Sequence, residues 1–77
     1  MKLFVGNLSR DVTDDVLLEA FQAYGTIASA TVIRDKFSGE SRGFGFVEFA
    51  ENAEAQAAIE GLNGKELAGR AMTVNEA

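Results

Sequence analysis

An α+β sandwich, with a four-stranded antiparallel sheet and both helices on one of its faces, is the fold class this sequence predicts. Three observations predict it. Strand-like and helix-like segments follow the order strand, helix, strand, strand, helix, strand across 77 residues. In each helical segment the apolar residues fall on one face. The segment SRGFGFVEF (41–49) carries aromatic residues on both faces, so a sheet built from it has one face for the core and a second that needs a reason. The order suits a split βαβ, ferredoxin-like arrangement, which leaves one sheet face uncovered.

Each element has its own grounds. KLFVGN (2–7) is short, apolar and closed by Gly6-Asn7, which reads as a strand. Thr13-Asp14-Asp15 supplies a capping hydroxyl and first-turn acids, and Leu17, Ala20, Phe21 and Tyr24 follow at helical spacing before a stop at Gly25. IASATVIR (27–34) is β-rich, with Ile27, Ala30 and Val32 inward after an irregular start, and Thr31 and Ile33 facing the other way. DKFSGES (35–41) is a polar hairpin connection. In 41–49, Phe44, Phe46 and Glu48 share one face, and Gly45, Val47 and Phe49 the other. Residues 51–62 are alanine-rich, with Ala55, Ala58, Ile59 and Leu62 on one face, closed by Asn63-Gly64. Leu67 is expected to pair briefly at an edge, and AMTVNEA (71–77) to form the last strand with Met72 and Val74 inward. If the first and third strands are adjacent, Phe4, Phe44 and Phe46 meet on the open face.

Composition bounds the function. The length suits one domain, residues 1–77, and 47% hydrophobic residues argue for a folded chain. There is no cysteine and no histidine, which removes disulfides, thiolate sites and the commonest general base and metal ligand. No enzyme activity and no cofactor is expected. No stretch approaches membrane-spanning length, and the apolar run at the start is too short for a signal peptide, so the expected location is cytoplasmic. Asn7-Leu8-Ser9 matches the glycosylation triplet and, without such a signal, reads as chance. Seven basic and 12 acidic residues give a net charge of −5, so any nucleic-acid contact must depend on where the charges sit. Asp14, Asp15, Glu19, Glu51, Glu54 and Glu60 read as a solvated helical face rather than catalytic carboxylates.

The pattern in Arg42-Gly43-Phe44-Gly45-Phe46-Val47-Glu48-Phe49, with Leu3-Phe4-Val5-Gly6-Asn7-Leu8 upstream, resembles the two hallmark segments of the RNA-recognition motif. The octamer agrees at every position, and the resemblance covers residues 2–77. It is most similar to small single-domain bacterial and cyanobacterial members. The resemblance implies that Phe4 and Phe46 each stack a base, that Phe44 packs against the sugars between them, and that Arg42 pairs with a phosphate. Physical chemistry agrees, since every base has a π-face and aromatics on a sheet hold single strands with little sequence preference. Lys2, Thr31, Thr73 and Asn75 fall on the same face by alternation and would supply selectivity. A side chain at position 45 would crowd the helix-covered face, and Gly43 gives freedom near a bend.

The expected partner is therefore single-stranded RNA, with single-stranded DNA left open beside it, bound by a monomer that does not engage a membrane. A protein-interaction module using the same face, for a peptide or a second copy, is the rival from another class. The net charge supports that rival, and the complete aromatic trio opposes it. Phe37, in the polar loop, either folds back on the sheet edge or reaches toward a ligand. Val16 and Leu18 flank the inward stripe of the first helix as boundary residues or as a partner surface.

Overall fold

In the computed structural model, the backbone of residues 1–39 and 41–77 is described, with side chains for all of these except Ser41 and Arg42. In chain order the elements are β1 (Lys2–Gly6), α1 (Asp14–Gln22), β2 (Ile27–Arg34), β3 (Ser41–Phe49), α2 (Asn52–Leu62), β4 (Glu66–Leu67), β5 (Arg70–Ala71) and β6 (Thr73–Glu76). The main sheet has the order β2-β3-β1-β6, and all three pairings are antiparallel. The first and third strands are thus central neighbours, as the meeting of the three phenylalanines requires. This is the ferredoxin-like βαββαβ fold, with a short β4–β5 ribbon added before the last strand.

Helix α1 forms where the sequence caps it. The Thr13 hydroxyl accepts a hydrogen bond from the Val16 N–H at 3.3 Å, and Asp14 and Asp15 follow in the first turn. Leu17 and Phe21 are fully buried, and Ala20 and Tyr24 pack against the core. The helix ends at Gln22, short of the glycine stop at Gly25. In α2, Ala55, Ala58 and Leu62 are buried, and the alanines let the helix lie close to the sheet. Against it come Leu3, Val5, Val47, Phe49, Met72 and Val74, so one face of the sheet is core. Phe21 and Phe49 meet at 6.3 Å between ring centroids across that interface.

The last strand is shorter than expected. Ala71 pairs with Glu66 in the ribbon, and the Met72 N–H donates to the Lys65 carbonyl at 2.9 Å. These bonds turn 70–72 toward the end of α2, so pairing with β1 begins only at Thr73. Leu67 pairs with Arg70 in the same ribbon rather than at the edge of the main sheet.

Side chains cover both outer strands of the sheet. The Val32 N–H of β2 donates to Asp14 Oδ1 at 2.7 Å, and the Val74 N–H of β6 donates to Asn63 Oδ1 at 3.0 Å. Glu54 Oε1 accepts from the Thr26 N–H at 3.3 Å, just ahead of β2. Unpaired edge amides invite association with another strand, and these carbonyl and carboxylate oxygens occupy them. Asp14 and Glu54 therefore do more than form a solvated face: each fastens a helix to the β2 side of the sheet.

Candidate nucleic-acid interface

Alternation along β3 divides its side chains as expected. Gly45, Val47 and Phe49 are buried, whereas Phe44 and Phe46 are half-buried and Glu48 is exposed on the face that no helix covers. Register then brings the rest of the site together. Thr31 pairs with Phe46, Phe46 with Phe4, and Phe4 with Asn75, so one row crosses all four strands. In a parallel row, Lys2 pairs with Glu48. Thr73 lies two residues before Asn75 on the same face and pairs with Gly6.

The three phenylalanine rings form one cluster. Phe4 lies 5.8 Å from Phe44 and 5.9 Å from Phe46, and Phe44 lies 6.4 Å from Phe46. The planes of Phe4 and Phe44 differ by 32°, while Phe46 stands at 66° and 86° to them. Such tilted and edge-to-face pairs contribute about 0.5–1.5 kcal/mol each beyond burial. The cluster is therefore held in place before any ligand arrives. The surface it presents is not flat, since the Phe46 ring plane is steeply inclined to the other two.

Two glycines shape this surface. A Cβ at Gly6 would come within 2.8 Å of Phe4 Cε1, so the Phe4 ring lies over Gly6. Position 6 helps set the ring's height, a role that the apolar pattern of β1 does not signal. At Gly45 a Cβ would lie 2.5 Å from the Thr31 carbonyl oxygen. The obstacle there is the backbone of the neighbouring strand, not a helix. Gly43 has φ +84°, where a side chain would be strained, and it sits in an irregular stretch between Val32↔Gly45 and Arg34↔Ser41. Two steps of β2 there span four of β3, so the extra residues form a bulge in β3.

Charge on the open face is sparse. The Lys2 ammonium lies 4.9 Å from the centroid of the Phe46 ring, a cation–π contact. At an exposed site such a contact is worth about 0.5–1 kcal/mol. A base stacked on an exposed aromatic ring contributes about 1–3 kcal/mol. The Lys2 contact is thus weaker than base stacking on an aromatic ring typically is. The Arg42 side chain, the expected phosphate partner, lies outside the described residues. Phe37 is 99% exposed and does not fold back on the sheet edge. Its N–H donates to Asp35 Oδ1 at 2.8 Å, which holds the loop in a turn.

On the helical side, Val16 packs against the core. Leu18 is half-buried and lines a shallow open groove with Glu19, Gln22, Thr26 and Ile27. Among the described residues there is no group of three or more acidic residues placed to hold a metal ion. No described helix is long and apolar enough to cross a membrane.

The model of the RNA recognition motif family matches residues 3–73. Glycine-rich RNA-binding protein 1 of Mycosarcoma maydis is 54% identical over 76 residues, which are 99% of this chain and 43% of that protein. RbpA of a Nostoc species, provisionally named an RNA-binding protein, is 48% identical over 77 residues, 100% of this chain and 76% of its own length. Relatives thus include a fungal as well as a cyanobacterial protein, and the likeness is not confined to bacterial members. Among solved structures, RNA Binding Protein PG1 superposes with a TM-score of 0.96 at 45% identity, covering 100% of this chain and 93% of that one. A Sxl-lethal protein–RNA complex superposes at 0.94 with 36% identity, covering 99% of this chain and 46% of that one.

Proposed function

This chain belongs to the RNA recognition motif family, and from that premise we propose that it binds single-stranded RNA, without catalysis, on the open face of its sheet. The observation that carries the reading is the row Thr31–Phe46–Phe4–Asn75 across the open face, with Phe44 beside it. Phe4 and Phe46 each stack a base, and Phe44 packs against the sugars between them. Arg42 and Lys2 meet phosphates. Thr31, Thr73 and Asn75 offer hydrogen bonds to base edges from both sides of the aromatic cluster. The names of the fungal relative and of the PG1 structure, together with the Sxl-lethal complex, support RNA as the ligand. The chain spans less than half of the fungal relative, so the proposal concerns the domain and not a longer protein's role.

Magnitudes predict modest affinity. Two or three stacks at about 1–3 kcal/mol each, less the ordering of a flexible strand, leave roughly −4 to −8 kcal/mol. That corresponds to about millimolar to micromolar dissociation constants. A net charge of −5 gives little long-range attraction. The test is fluorescence anisotropy of a labelled, randomised RNA of about ten nucleotides, titrated with this domain at several salt concentrations. The expected result is binding between about the millimolar and micromolar levels with a shallow salt dependence, about −0.7 in log–log slope per phosphate contact. Nanomolar binding with a steep slope would contradict stacking as the main source of affinity. No binding at about millimolar protein would remove RNA as the ligand and turn attention to a peptide or a second copy on the same face.

A further inference from the structure

Arg70 lies in the two-residue strand β5, outside the strands whose alternation defines the open face. Its side chain is nevertheless tied to the end of β1. Arg70 Nη2 donates to Asn7 Oδ1 at 2.7 Å, and Asn7 Nδ2 donates to the Ala71 carbonyl at 2.7 Å. Asn7 adopts φ +57°, a left-handed conformation that asparagine tolerates better than most residues. That backbone turn puts its amide across from the ribbon.

The location brings this cation close to the aromatic cluster. Asn7 directly follows Gly6, over which the Phe4 ring lies. Gly6 in turn pairs with Thr73, three residues beyond Arg70. The guanidinium is therefore one hydrogen bond and one residue away from the glycine under Phe4. Its partner is a neutral amide, so its whole charge persists, and one of its five N–H donors is engaged by Asn7. Among the described residues it forms no ion pair with a carboxylate. Anchoring the ribbon does not explain it, because the bond from Asn7 Nδ2 to Ala71 already does that without the arginine.

We propose that Arg70, oriented by Asn7, binds a phosphate of the RNA strand at the β1 end of the cluster. The inference rests on the RNA-binding reading above. A guanidinium matches phosphate geometry with paired N–H donors, and one held by an amide before binding has less freedom to lose. Lys2 and Arg70 then lie at opposite ends of β1, with Phe4 between them, so the strand's backbone is held on both sides of the stacked bases.

The test compares the unmodified domain with R70Q and R70K, using the same labelled RNA over a range of salt, with thermal melts of all three. Arg70 is exposed, so the melting temperatures are expected to agree. R70Q is expected to bind several-fold more weakly at low salt, with a log–log salt slope shallower by about 0.7, the loss of one phosphate contact on a single strand. R70K is expected to keep the parent slope while binding less tightly, because it keeps the charge but not the fork. An unchanged slope in R70Q overturns the assignment, and with a lowered melting temperature it would make Arg70 a structural tie. If the unmodified domain binds no RNA, the underlying reading fails as well. Binding by the parent with an unchanged R70Q slope defeats this assignment alone.

Discussion

Phe46→Ala is expected to weaken RNA binding by about 5-fold to 150-fold, the loss of one stacked base worth about 1–3 kcal/mol. Phe46 sits in the middle of the cross-strand row, flanked by Phe4 and Thr31, and it stands on edge against Phe44. Alanine also removes two ring contacts and the cation–π contact with Lys2, so folding loses about 1.5–4 kcal/mol as well. Phe46→Leu separates the two effects. It also loses the ring contacts but keeps most of the apolar volume, so it costs less stability than alanine while binding falls as far for want of a π-face. Anisotropy titrations and thermal melts on the same samples check both parts. Equal RNA affinity for the parent and both variants would show that no base rests on this ring.

Three residues further along the same strand, the expected effect moves from binding to folding. Phe49→Ala is expected to destabilise the domain by about 3–5 kcal/mol. Phe49 is 1% exposed and packs on Phe21, so alanine leaves a cavity between sheet and α1. At about 0.05–0.15 kcal/mol per residue, a domain of 77 residues has roughly 4–12 kcal/mol in total. The substitution thus removes a quarter or more of the stability, enough to leave a weak domain largely unfolded at room temperature. Circular-dichroism melts would register it as a drop of well over ten degrees. A melting temperature as high as that of Phe46→Leu would contradict the division of β3 into a core face and an open face.

That division was legible in the sequence because it follows from a period of two. Phe44, Phe46 and Glu48 must oppose Gly45, Val47 and Phe49 wherever the strand lies. The helices were legible through their apolar stripes, and α1 also through its Thr13 cap. The order of elements then placed both helices on one face, which left the aromatic trio without cover. What escaped depends on distances between segments far apart in the chain. Nothing in the run of acids marks Asp14 as the acceptor for an edge amide of β2, since Val32 is 18 residues away. The reason for Gly45 likewise lies in the backbone of β2 and not in its own strand. The ribbon of β4 and β5 is two residues per strand, too short for any periodicity, and with it Arg70 was hidden. Phe37 could be read either way from its polar surroundings, and only the Asp35 turn settles that its ring stays in solvent.

The measurement that tests the central claim most directly is amide chemical-shift mapping of the labelled domain during titration with a single-stranded RNA of about ten nucleotides. Binding on the open sheet face predicts the largest changes at Phe4, Thr31, Phe44, Phe46 and Asn75, with the helical residues nearly still. Changes centred on Leu18, Gln22 and Ile27, or no change at saturating RNA, would contradict it.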